Sequence, residues 1–224
     1  MEIPRPERGG APQPPPRRLP VAPEGWPFIL PPLAVSCILA VMGWHRAAAV
    51  AAVPGLLSLG FFRDPERTPP GLPGGVLAPA DGRVMGIDEV NDPFVGLAVR
   101  MSIFLSPLDV HVNRAPVGGI VREVQYTPGR FLAAYRPEAS ADNERCTVTL
   151  EAEGGRVAVR QIAGVLARRI VCRVRPGDRL EAGERYGLIR FGSRTDLIVP
   201  RGTEVRVRAG DRARGGETVM GVLR

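Results

Sequence analysis

The sequence predicts a mainly β domain of short strands with an internal duplication, preceded by an N-terminal helical hairpin suited to a membrane. Three observations predict it. Two long uncharged stretches lie near the N-terminus, short alternating runs punctuated by Gly and Pro fill the chain from Arg63 onward, and two turn motifs recur at a distance.

Residues 1–25 are rich in Pro and Arg and poor in large apolar side chains. Such a composition cannot bury enough surface to offset the entropy of ordering, so a disordered tail is expected. From Pro27 to Trp44 there are 18 residues without a formal charge, and from Ala47 to Phe62 another 16, parted by His45 and Arg46. Each stretch is close to the ~17–25 residues that cross a bilayer core, and both contain Pro. A buried helical pair in a soluble core would carry one apolar stripe, whereas these runs are apolar all round. Arg5, Arg8, Arg17 and Arg18 precede the pair and Arg63 and Arg67 follow it, against Arg46 between them. The positive-inside rule therefore puts both flanks on the cytoplasmic face of the cell membrane. The expectation is a membrane-associated hairpin over 26–62 and not a cleavable signal peptide, because the apolar stretch starts late and lacks a small-residue cleavage site.

Residues 63–224 read as the β domain. Cys146 to Glu153 and Arg156 to Gln161 are two period-2 runs around Gly154-Gly155, a strong hairpin signal. Similar runs occur at Leu97–Leu105, Ile120–Tyr126, Ala167–Val174, Leu197–Val199 and Val205–Arg208, and the best helical candidate is Phe131–Tyr135. Val174-Arg-Pro-Gly-Asp-Arg, followed by Gly183-Glu184, returns 33 residues later as Val207-Arg-Ala-Gly-Asp-Arg, followed by Gly216-Glu217. Ala78-Pro-Ala-Asp-Gly-Arg-Val and Ala115-Pro-Val-Gly-Gly-Ile-Val form a second echo. Gly-Asp turns between short strands resemble those of barrel-sandwich domains of the biotinyl and lipoyl type, which implies a barrel-sandwich-like architecture.

Composition then excludes chemistry. All 30 basic residues are Arg and none is Lys, which removes a lysine Schiff base, a P-loop lysine and a biotinyl- or lipoyl-lysine arm. Three separated Cys without a C-x-x-C and two His, His45 and His111, argue against a disulfide framework and a zinc or histidine-rich metal site. A net charge of +7 favours acidic partners, but aromatics at 5% leave little for base stacking, so no nucleic acid is expected.

Any nucleophile in the β zone has one imidazole to serve it, His111; a lone His is also commonly a packed residue. Asp81, in Pro79-Ala-Asp-Gly, is ordinary turn chemistry on its own. Ser193, in Arg190-Phe-Gly192-Ser193-Arg194, is weak evidence alone, since tight turns use small residues.

In order, however, the fragments resemble one family, the short form of the phosphatidylserine decarboxylase proenzymes. They are Phe61-Phe-Arg-Asp-Pro-Glu-Arg, Pro79-Ala-Asp-Gly-Arg, Phe104-Leu-Ser-Pro-Leu-Asp-Val-His111, Ala115-Pro with Gly118-Gly-Ile-Val, Gly129-Arg-Phe leading to Asn143-Glu-Arg, and Phe191-Gly-Ser-Arg-Thr-Asp-Leu. The resemblance covers roughly residues 26–224.

It implies self-processing between Gly192 and Ser193. Attack by the serine hydroxyl, an ester, β-elimination and hydrolysis would leave a β chain (1–192) and an α chain (193–224) whose first residue is a pyruvoyl group, the cofactor pyruvate. The two chains would stay together as a heterodimer, with a higher oligomer left open. The ketone would form a Schiff base with phosphatidylserine and act as electron sink for loss of CO2, giving phosphatidylethanolamine in phospholipid biosynthesis. The resemblance assigns Ser193, His111 and Asp81 to catalysis, with His111 a general acid/base. Arg194, next to the cofactor, is expected to pair with the phosphate or carboxylate of the anionic phospholipid, although a solvated charge is the plain alternative.

One departure stands out. Longer bacterial members carry two histidines three apart, and the second position here is Arg114, which cannot act as a base at neutral pH. Either His111 serves both steps or cleavage relies on strain with Asp81 helping; a variant substrate such as archaetidylserine is a further possibility. A rival from another class is a non-enzymatic membrane-anchored barrel-sandwich adaptor, which predicts an intact 24.1 kDa chain.

Overall fold

A computed structural model describes residues 20–133, 139–164, 169–190 and 193–224. Residues 1–19 of the expected tail, part of the Phe131–Tyr135 and Ala167–Val174 runs, and Phe191-Gly192 lie outside the described residues. The last residues of the expected tail, Pro20 to Gly25, are structured: Val21 bridges Arg63, the Ala22 N–H donates to the Phe62 carbonyl at 2.8 Å, and a 3-10 turn covers Pro23–Gly25.

Helix α1 (Trp26–Val41) begins directly after that turn, with Pro in its first positions where no N–H partner exists to lose. Helix α2 (His45–Phe61) returns antiparallel, and the Ser36 hydroxyl donates to the Ala48 carbonyl at 2.8 Å to tie the two. Their apolar side chains face outward: Val41 is 89% and Val50 73% exposed. Pro23–Val41 is long and apolar enough to cross a membrane, and α2 is a shorter apolar helix. The hairpin's base is anchored by a separate core in which Ile29, Phe61 and Phe62 pack on Val110, Val112 and Leu188. Gly25 is needed there, because a Cβ would sit 2.6 Å from that of Phe62.

The β domain contains strands β1 (Gly75–Leu77), β2 (Gly82–Asp92), β3 (Gly96–Leu105), β4 (Val112–Arg114), β5 (Gly119–Thr127), β6 (Arg145–Ala152) and β7 (Gly155–Ala163). A short helix α3 (Ala139–Asp142) precedes β6, and Phe131–Ala133 is not helical, which corrects the helix expected there. Strands β8 (Ile170–Cys172), β9 (Arg179–Leu180), β10 (Arg185–Ile189), β11 (Ser193–Pro200), β12 (Glu204–Val205), β13 (Arg212–Ala213) and β14 (Val219–Val222) follow. They form a curled eight-stranded sheet, β13-β2-β3-β11-β7-β6-β5-β9, and two small sheets, β1-β14-β12 and β4-β10-β8. In the β6–β7 hairpin Ala152 pairs with Gly155, so the two turn residues are Glu153 and Gly154, one position earlier than the pattern suggested.

The duplication is structural. Exchanging β1, β2 and β3 with β4, β5 and β6, and β12, β13 and β14 with β8, β9 and β10, maps the small sheets on each other and the large sheet on itself. The Gly-Asp corners coincide bond for bond. The Gly177 N–H donates to the Val121 carbonyl and Gly210 to that of Val84, each at 2.8 Å, while the Asp178 and Asp211 carboxylates accept from Arg175 and Arg208 N–H, again at 2.8 Å. Both glycines have left-handed φ, 96° and 97°, which favours Gly at the same step of each turn. The Ala-Pro corners cross: Leu77 N–H donates to Pro116 and Arg114 N–H to Pro79. Inside, Met101, Ile103, Leu105, Leu150, Val157, Val159, Leu197 and Val199 form one core.

Candidate active site

Strand β11 lies at the centre of the large sheet, and its first residue, Ser193, pairs with Leu105 of β3 and Ala163 of β7. Side chains alternate along a strand, so Ser193 and Thr195 share the inward face of Leu197 and Val199. Ser193 is fully buried, and its Oγ has no hydrogen-bond partner among the described residues. An unmade hydrogen bond of a buried hydroxyl costs about 1–3 kcal/mol, which makes this atom a candidate for work other than stability.

Beside it a carboxamide cluster crosses from β4. The Asn113 amide donates to Thr195 Oγ1 at 3.3 Å and to the Pro79 carbonyl at 3.4 Å, and its Oδ1 accepts from Gln161 Nε2 at 2.8 Å. His111, two residues earlier, is completely buried. Its backbone carbonyl accepts from Ile189 N–H at 3.3 Å, and Ile189 packs on Ala163, the cross-strand partner of Ser193. The imidazole lies 4.1 Å from the Phe61 ring, at the base of the hairpin.

His111 Nδ1 is 2.9 Å from the Asp109 carbonyl. A carbonyl can only accept, so Nδ1 carries the proton and Nε2 is the basic nitrogen. Burial pushes the pKa from 6.5 down to about 4, outweighing the opposing bond to Asp109. The ring is therefore neutral at physiological pH. The preceding loop is held by Asp109, whose carboxylate accepts from the Ser106 N–H at 2.8 Å and hydroxyl at 2.7 Å.

The remaining expected residues fall elsewhere. Asp81 accepts from Arg67 at 3.0 Å and from the Gly215 N–H at 2.8 Å, and it lines a cleft of about 760 Å³ that also reaches Asp109 and Val110 beside His111. Arg194, expected as a substrate ligand, is held in an ion pair within the chain. Alternation turns it to the opposite sheet face from Ser193, where Nε is 2.6 Å from Asp196 and Nη2 2.7 Å from Ser102, with the carboxylate fully buried. Arg114 is buried and points to the linker, contacting Asp64 at 3.2 Å, the Pro65 carbonyl at 2.8 Å and the Gly183 carbonyl at 3.1 Å. Asp64 also receives Arg185 at 2.7 Å, so Arg114 serves as a clamp on the segment leaving the hairpin. Gly192 lies outside the described residues. Asn113, Gln161 and Thr195 were not singled out from the sequence, although each takes an inward place in its run.

A helical hairpin docked on a twofold-repeated β domain, with a buried hydroxyl, imidazole and carboxamide cluster below the docking surface and no lysine in the chain, defines the class: hairpin-bearing β-domain enzymes with a lysine-free centre. The profile of the family described as phosphatidylserine decarboxylase matches residues 56–221. Proteins named phosphatidylserine decarboxylase proenzyme are similar over most of their length. That of Nocardia farcinica is 50% identical over 210 residues, covering 91% of this chain and 88% of its own. Those of Symbiobacterium thermophilum and Nitrosomonas europaea are 49% and 46% identical, covering 92% and 89% of this chain and 97% and 94% of theirs. The chain belongs to the phosphatidylserine decarboxylase family.

Proposed function

We propose that this chain cleaves itself between Gly192 and Ser193 and then decarboxylates phosphatidylserine to phosphatidylethanolamine with a pyruvoyl group at residue 193. The observation that carries the reading is the buried Ser193 hydroxyl at the start of the central strand, without a hydrogen-bond partner among the described residues; His111, held neutral by its surroundings, is linked to that strand end through Ile189 and Ala163. Neutral His111 takes the proton from Ser193 Oγ as that oxygen attacks the Gly192 carbonyl and delivers it to the Ser193 nitrogen as the Gly192–Ser193 C–N bond breaks, leaving an ester and a free amine. Loss of the Ser193 Cα proton breaks the Cβ–O bond, Gly192 leaves as a carboxylate, and the dehydroalanine left at residue 193 takes up water and loses ammonia.

A small ketone asks for a buried position without competing donors, and the site of Ser193 fits that demand. The group supplies an electron sink for the carboxylate's bonding pair. His111 takes a proton from the substrate ammonium group as the amine is captured and returns it to the carbon that loses CO2. Asp81 fixes Arg67 and the Gly215 loop along the cleft and acts as a positioning residue. The hairpin over 26–62 lies in the cell membrane with residues 63–224 on the cytoplasmic face, which brings the anionic lipid to the cleft; the +5 charge of that domain, 25 Arg against 20 acidic residues, supports this placement.

Denaturing electrophoresis with mass spectrometry tests the proposal. The expected result is two chains, 1–192 and 193–224, the small one blocked to Edman degradation, and a Ser193→Ala chain intact at 24.1 kDa. An intact, inactive unsubstituted chain, or splitting of the Ser193→Ala chain at the same bond, overturns it.

A further inference from the structure

The arginines around the cleft divide into two kinds. Of the four that line the cleft of about 760 Å³, Arg67 is paired with Asp81 and Glu217 and Arg212 lies 3.8 Å from Asp109, whereas Arg63 and Arg214 have no ion pair among the described residues, and of these two only Arg63 adjoins the hairpin; Arg114 and Arg185, which share Asp64, line a neighbouring cleft. Arg63 has no carboxylate within ion-pair distance among the described residues; its two bonded N–H groups go to the Gly60 and Leu108 carbonyls. A guanidinium has five N–H donors, so its charge and three donors remain. Arg63 also lines the cleft of about 760 Å³, together with Leu108, Asp109 and Val110, and its charge is felt at the His111 ring.

Its position matters as much as its charge. Arg63 directly follows the hairpin, whose last turns expose Leu56 at 57% and Leu59 at 38%, and the Leu108 side chain beside it is 84% exposed. Arg63 thus stands where apolar surface gives way to the polar cleft lined by Asp109 and Val110, the residues just before His111. A glycerophospholipid with its chains along the hairpin and its headgroup toward residue 193 puts its phosphodiester at that boundary.

We propose that Arg63 is the phosphate receptor of the substrate site, binding the phosphodiester of a membrane glycerophospholipid and so fixing how far the headgroup reaches toward residue 193. The assignment rests on the decarboxylase reading above, and replaces Arg194 in that role. Arginine suits it because its planar fork meets two phosphate oxygens at once.

Calorimetric titration of the full-length, detergent-solubilised Ser193→Ala chain with glycerophosphoserine tests it without any need for catalysis. Adding Arg63→Ala should weaken glycerophosphoserine at least tenfold, leave the weaker binding of free serine unchanged, and remove competition by inorganic phosphate; Arg63→Lys should recover part of the loss. In the catalytic protein, Arg63→Ala should raise KM for dihexanoyl phosphatidylserine about tenfold with kcat within threefold. Unchanged affinity for glycerophosphoserine, equal loss for serine, or no measurable binding by the Ser193→Ala chain overturns the assignment. An unsubstituted protein that releases no CO2 overturns the decarboxylase reading instead, and the calorimetric arms still report on Arg63.

Discussion

The two halves of the β domain share a backbone plan and differ at the places where chemistry is proposed. Four residues before the Ala-Pro corner, one half has Gly74 and the other His111; three residues after it, one has Asp81 and the other Gly118. The central strands differ likewise, since Gly155 begins β7 and Ser193 begins β11. Each proposed functional residue thus has a glycine as its counterpart. Gly-Asp corner bonds at 2.8 Å hold the backbone in both halves, and the residues that break the symmetry are those proposed for the site. One step before the corner, Leu77 is replaced by Arg114, and that substitution serves the hairpin linker.

Several substitutions break or sharpen this comparison. His111→Ala, which removes the imbalance at one position, should slow self-cleavage by two to four orders of magnitude, followed by electrophoresis over time; an unchanged rate removes His111 from the reaction. Arg114→Leu copies the other half, leaves Asp64 to Arg185 and removes the bonds to the Pro65 and Gly183 carbonyls, so it should cost ~1–3 kcal/mol in denaturant unfolding. Arg114→His should give no faster cleavage, because the side chain at that position faces the linker; acceleration would make it a base after all.

The pH dependence is of similar size. Burial lowers the His111 pKa from 6.5 to about 4 in the folded chain, so between those values the unfolded chain binds the extra proton. Stability is therefore fully present above pH 6.5, falls by about 3 kcal/mol as pH drops to 4, and His111→Gln should flatten that slope. The smallest effect tests the symmetry itself. Asp178→Ala and Asp211→Ala each remove one carboxylate–amide bond, and each should cost about 1 kcal/mol, equally within error; a large inequality would mean that the corners are not equivalent.

Much of this is legible locally. The Gly-Asp turns, the hairpin of β6 and β7 and the apolar helices rest on neighbours in sequence, and their patterns can be read directly. The Ala-Pro echo is visible too, but that its two copies bond to each other is a matter of pairing between distant segments. Arg114 could not be placed, because its partner Asp64 is fifty residues away. The side of the sheet taken by Arg194 follows from the parity of the Ser193, Thr195, Leu197, Val199 series, once β11 is taken to start at Ser193. Asn113 and Gln161 hide for another reason: a polar residue in an alternating run reads as solvent-facing until the run's apolar parity is checked.

The place of β11 in the large sheet sets an order of events. A cut before Ser193 leaves a 32-residue piece whose first strand is paired on both sides, with β3 and with β7, while β13 holds one sheet edge and β12 and β14 lie in a small sheet. Such a piece can be threaded between β3 and β7 while it is still part of the same chain. Once separated, reassembly becomes a second-order search by a fragment with no core of its own. If the chain matures by the proposed cut, folding information resides in the uncut chain, and the cut product, once denatured, should fail to refold, as a kinetically trapped molecule does.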